Sequence, residues 1–121
     1  MTSDDRNAAK KRTPIFLYCV MVMQRGGCVY IITNKTHSVL YTGVTSDIAS
    51  RIWDHRNKTY PQSFTAKYNC DKLVYYRFYF HIEEAITAEK VLKAGSRQTK
   101  IDLVNQLNPA WKDLYDDLIK E

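Results

Sequence analysis

No apolar run in this chain is long enough to cross a bilayer. The longest, Ile15 to Met23, covers nine residues, whereas a helical span takes about 20. Lys10, Lys11 and Arg12 precede it much as a charged segment precedes the apolar core of a signal peptide. Gln24-Arg25-Gly26-Gly27 then offers no small-residue cleavage site, so a cytoplasmic protein with no membrane association is expected. Cysteine is scarce and odd in number: Cys19, Cys28 and Cys70 include no C-x-x-C pair. That excludes both a disulfide framework and a zinc knuckle, and leaves three reduced thiols. There is no internal repeat and no low-complexity tract.

What is present fits one domain. The chain has 121 residues, within the roughly 100–200 of a single domain. Its apolar content of 45% and charged content of 26% suffice for a packed core and argue against disorder. We divide it into an N-terminal extension over 1–24 and a folded domain over 25–121. The formal charge is +5, and the excess lies in the globular middle while the last eleven residues are net acidic. A basic domain points to a polyanionic partner without naming it.

The order of elements is legible. Cys28 to Thr33 is β-branched and aromatic, Asn34 to Ser38 carries turn chemistry, and Val39 to Val44 resumes the pattern, so a β-hairpin with a five-residue loop is predicted. Thr45-Ser46-Asp47 opens a helix reaching about Lys58. Pro61 to Asp71 reads as a polar loop with aromatics, and Leu73 to Phe80 alternates as a third strand. Helices are predicted over Ile82–Lys93, Arg97–Leu107 and, after Asn108-Pro109, Trp111–Ile119, where Trp111, Leu114, Tyr115 and Leu118 form one stripe. The expected fold is α+β: a small three-stranded antiparallel sheet flanked by helices.

Polar residues intrude on apolar faces at three points. Arg51 and His55, four apart, border the Ile48/Ile52 stripe of the first helix, where they present a guanidinium and an imidazole on one face. Both are also ordinary boundary residues. Glu89 falls within the apolar stripe of the second helix, and a buried carboxylate needs a cation. Arg51 could supply it as a structural ion pair; alternatively Glu89 lines a cleft and holds a divalent metal, with Arg51 aimed at a phosphate. Two of the nine tyrosines, Tyr30 and Tyr41, lie on the paired strands of the hairpin. They are half-buried sheet residues or, with positive charge nearby, proton-transfer groups.

Cys28-Val29-Tyr30, Tyr41-Thr42-Gly43, Arg51, His55 and Glu89, in this order and at these intervals, resemble the GIY-YIG nuclease domain. The likeness covers roughly residues 28–108 and looks closest to its small stand-alone bacterial members. Cys28 and Val29 replace the Gly and Ile of the first motif, and Thr42 the Ile of the second. The resemblance implies an endonuclease that hydrolyses DNA phosphodiester bonds with one Mg²⁺ or Mn²⁺, in DNA repair or recombination. It implies Tyr30, Tyr41, Arg51, His55 and Glu89 as catalytic residues, with Glu89 on the metal and the water deprotonated by Tyr30, or by Tyr41 acting with His55. Gly43 would let the backbone approach a phosphate or the adjoining helix closely. Lys35, Lys58, Lys67, Lys93, Arg97 and Lys100 are expected phosphate contacts, though each is equally an ordinary surface charge. A late asparagine that orders the site corresponds to Asn105 or Asn108. No small-molecule cofactor is implied, and the expected state is a monomer or weak homodimer. The alternative is a nucleic-acid-binding module of the same fold without turnover.

Overall fold

The structure is a computed structural model that describes residues 26–119; the extension over 1–24 and Cys19 lie outside the described residues. β1 (Gly27–Thr33) is the middle strand of a three-stranded sheet, between β2 (Leu40–Thr45) and β3 (Lys72–Tyr79), and both pairings are antiparallel. All seven β1 residues are buried, which explains a sequence apolar on both faces rather than alternating. The hairpin loop closes on Asn34, whose Oδ1 accepts from the backbone N–H of Ser38 at 2.9 Å and Val39 at 3.1 Å. That side chain substitutes for a backbone turn.

Helices cover both faces of the sheet. α1 (Ile48–Arg56) begins at Asp47, whose side chain accepts from Ser50 N, and ends two residues before the predicted Lys58, which adopts a left-handed φ of 51°. Ile48 and Ile52 of α1 pack with Cys28, Tyr30, Ile32, Cys70 and Leu73 on one face. On the other face Ile31, Val74, Tyr75 and Val104 form a second cluster, supplied in part by α4 (Arg97–Leu107). α3 (Ile82–Ala94) packs against all three strands, chiefly β1. Each buried Ile, Leu or Val is worth about 1.5–3 kcal/mol, so the double-sided burial of β1 makes it the anchor for whatever its side chains present.

Two expectations change. The polar loop after α1 contains a helix, α2 (Phe64–Lys67), capped by the Ser63 hydroxyl on Ala66 N. Four residues carry too little periodicity to register in a sequence pattern. The last helix is shorter than predicted: α5 spans Tyr115–Ile119, because Trp111 has φ 55° and Leu114 N is drawn to Leu73 O at 2.7 Å. The predicted Trp111 stripe therefore divides. Leu114, Tyr115 and Leu118 pack on the α1 face, whereas Trp111 packs on the opposite face and stacks on His37 at 4.8 Å.

Candidate active site

Tyr30 pairs with Gly43 across the hairpin, and its ring lies directly over that glycine. A Cβ at position 43 would stand 2.5 Å from Tyr30 Cζ. The absent side chain thus makes room for Tyr30, rather than for a phosphate or helix. The ring crosses to α1, where its hydroxyl lies 3.0 Å from His55 Nε2. Arg51, one helical turn earlier, brings its positive charge near the same hydroxyl. The i, i+4 spacing of Arg51 and His55 brings both heads to one oxygen.

The protonation states follow from burial. Tyr30 is 1% exposed, and burial pushes its hydroxyl up to about 12, with Arg51 pulling the other way. It remains a phenol at neutral pH. Burial and then the Arg51 charge lower His55 to about 4, so its imidazole is neutral. With the positive Arg51 near its oxygen, the Tyr30 hydroxyl is best turned to donate to Nε2, which leaves Nδ1–H to donate to Thr65 Oγ1 at 2.9 Å. Thr65 is 3% exposed and sits on α2. That helix therefore positions the imidazole.

The hub opens into a cleft of about 220 Å³ whose walls include Tyr41, Arg51, His55 and Thr65, with Lys58, Tyr60, Ser63 and Phe64 contributed by the segment after α1. Tyr30 lies beneath this surface, and Tyr41 is the tyrosine that reaches it. The rings of Tyr30, Tyr41 and His55 form a triangle with centroid separations of 6.5, 5.8 and 5.9 Å.

Glu89 is 7% exposed, as its place in the apolar stripe predicts. Its cation is Lys93, whose Nζ lies 3.0 Å from Oε2, and not the Arg51 considered from sequence. The hydrogen bond that Lys93 donates to Glu89 raises the pKa of its ammonium above its usual range. Lys93 also sits 5.9 Å from the Tyr41 ring centroid, linking Glu89 to the cleft wall. Among the described residues no group of three His, Cys, Asp or Glu side chains is placed to hold a metal. A single carboxylate nonetheless suits Mg²⁺, which keeps several waters and takes one or two carboxylates plus substrate phosphate.

The expected basic contacts separate into two sets. Lys58 lines the cleft and bonds Asn69, Lys67 lies over the Tyr68 ring, and Lys93 holds Glu89. Lys35 is exposed on the hairpin loop, Arg97 donates to His37 O at 3.0 Å, and Lys100 donates to Gly95 O at 2.8 Å. The last two have structural work. Asn108, 7% exposed, bonds Val74 O, Lys112 O and Lys112 N, whereas the exposed Asn105 accepts from Trp111 Nε1. Of the two, Asn108 is the one that ties the chain after its helix to β3. Thr65, Ser63, Phe64 and Tyr60 were not anticipated, although Ser63 three residues before Ala66 is a readable capping signal.

Residues 26–102 match the GIY-YIG catalytic domain. No curated protein matches the chain. Among solved structures it is similar to a UPF0213 protein from Bacillus halodurans, determined by NMR in solution. The two are 28% identical over 75% of this chain and 95% of that one, with a TM-score of 0.48. No described helix is long and apolar enough to cross a membrane. The ordered motifs and the family match over most of the chain lead to one conclusion: this protein belongs to the GIY-YIG family, whose catalytic domain is that of an endonuclease.

Proposed function

We propose that this chain is a divalent-metal-dependent endonuclease acting on DNA phosphodiester bonds. The observation that carries the reading is the Tyr30–His55 hydrogen bond beneath a cleft that Arg51, His55 and Tyr41 line, with buried Glu89 adjoining through Lys93.

Each side chain then has a task. Arg51 neutralises charge developing on the non-bridging oxygens of the scissile phosphate. Tyr41, on the cleft wall, orients the attacking water, whose proton passes to the Tyr30 hydroxyl as that hydroxyl gives its own to His55 Nε2. Since Arg51 is one cause of the low His55 pKa, an entering phosphate that neutralises Arg51 raises the basicity of His55 when a base is needed. On accepting the proton, His55 Nε2 becomes a donor, and the Tyr30 hydroxyl, now carrying the water's proton, accepts from it. Tyr30 thus relays the proton without becoming a phenolate, since burial keeps its hydroxyl protonated. Glu89 would hold one Mg²⁺ or Mn²⁺, which supplies stabilisation of the negative charge on the leaving oxygen. For this Lys93, with its side chain 54% exposed, must swing out, where it can meet a phosphate. Lys58 and Lys67 contribute non-specific phosphate contacts.

The Glu89–Lys93 pair also favours a second reading, a DNA-binding module in which Lys93 permanently satisfies the carboxylate. Supercoiled plasmid incubated with and without Mn²⁺ separates them. The enzyme gives metal-dependent cleavage that Arg51→Ala and Glu89→Ala abolish while circular dichroism shows the fold intact. Salt-sensitive binding with no product selects the module, and equal cleavage by wild type and both variants sinks the endonuclease reading.

A further inference from the structure

Phe64 and Tyr68 have no part in the chemistry above, yet they stand in water beside it. Phe64 is 50% exposed and Tyr68 41%, although rings of this size are strongly favoured inside. They are not scattered. Their ring centroids are 4.8 Å apart, and Phe64 stacks at 6.1 Å and 29° on Tyr41, the tyrosine of the cleft wall. The three rings form a continuous row running out of the cleft, held by a four-residue helix that Ser63 caps and Thr65 ties to His55. Cationic side chains accompany it: Lys67 Nζ lies 5.5 Å from the Tyr68 centroid, and Lys58 lines the same cleft.

We propose that the Tyr41–Phe64–Tyr68 row is a stacking platform for unpaired bases of the DNA strand whose phosphate occupies the cleft, so that the substrate is single-stranded or locally frayed DNA. Exposed rings flanked by Lys combine the two attractions single strands offer, a π-face on every base and a phosphate between successive bases. Duplex DNA cannot use the row, since its bases already stack on each other. Nothing in the row reads base edges, so the preference is for unpaired structure rather than sequence. The inference rests on the proposed function in taking the scissile phosphate to lie in the cleft.

Binding in chelator, where no cleavage occurs, tests it. Fluorescence anisotropy at fixed salt would compare a labelled oligothymidylate of about twelve nucleotides, within the span of known single-strand sites, with an abasic strand of equal length and charge and with a blunt duplex. Wild type should bind the oligothymidylate at least about tenfold more tightly than the abasic strand or the duplex, as one good base stack would give. Phe64→Leu and Tyr68→Leu, which keep an apolar side chain for folding, should each remove most of that advantage and leave abasic binding unchanged. Equal affinity for the oligothymidylate and abasic strands, or variants that weaken both alike, would overturn the platform. Base-dependent binding without metal-dependent cleavage would refute the enzyme alone, and cleavage without base preference would refute the platform alone.

Discussion

A methyl group at position 43 would meet the hydroxyl end and ring edge of Tyr30, which cannot give way easily because the residue is 1% exposed and its hydroxyl is bonded to His55. Gly43→Ala must therefore move the ring or spread β1 from β2, and overpacking of this kind costs about 1–3 kcal/mol. Urea denaturation should show that loss together with lowered cleavage; unchanged stability would mean that the ring has room to yield. The second prediction at this scale concerns His55. Its pKa falls from 6.5 to about 4 on folding, so between those values the unfolded chain binds the proton and the folded one does not. Stability from this group is complete above about pH 6.5 and declines as pH falls toward 4. His37 is shifted in the same direction, so His55→Gln should flatten the pH dependence in that window without abolishing it. Melting temperatures at pH 5 and pH 7 for wild type and variant measure the difference; parallel curves would show that His55 is not held neutral.

The short elements hold the side chains of the cleft in register. α2 has only four residues, too few to persist alone, and its stability comes from the Ser63 cap and from the buried Thr65 and Ala66. The end of α4 depends on Asn108, which ties that helix to β3 through Val74 O and to the following turn through both backbone groups of Lys112. Asn108→Ala would leave buried polar groups without partners, at about 1–3 kcal/mol each. A destabilisation of about 2–3 kcal/mol in denaturant is expected, without direct loss of the Tyr30–His55 pair on the other face. A variant as stable as wild type would show that water replaces the amide.

For the molecule as a whole, the proposed endonuclease, with a single Tyr30–His55 cleft site per chain among the described residues, should cut one strand per encounter. Nicked circles should accumulate from supercoiled plasmid before linear product on an agarose time course. Linear product appearing without a nicked intermediate would show that two copies act together. DNA affinity should fall linearly in log salt, with a shallow slope, because Arg97 and Lys100 are occupied by backbone carbonyls and leave fewer cations for phosphate than the count of 18 Lys and Arg suggests.

Order and spacing along the chain sufficed for the strands, the main helices and the anomalous Glu89, because hydrophobic periodicity and the cost of burying charge are local or one-body properties. They also carried the likeness to the GIY-YIG family, since Tyr30, Tyr41, Arg51, His55 and Glu89 stand on elements whose intervals are fixed. Partners were a different matter. Lys93 rather than Arg51 neutralises Glu89, Tyr30 rather than a ligand fills the space beside Gly43, and Thr65 holds His55 from a helix too short to leave a pattern. Each depends on which side chains meet across the sheet, and that is decided by strand register and by the angles at which helices pack on it, quantities that one-dimensional spacing does not contain.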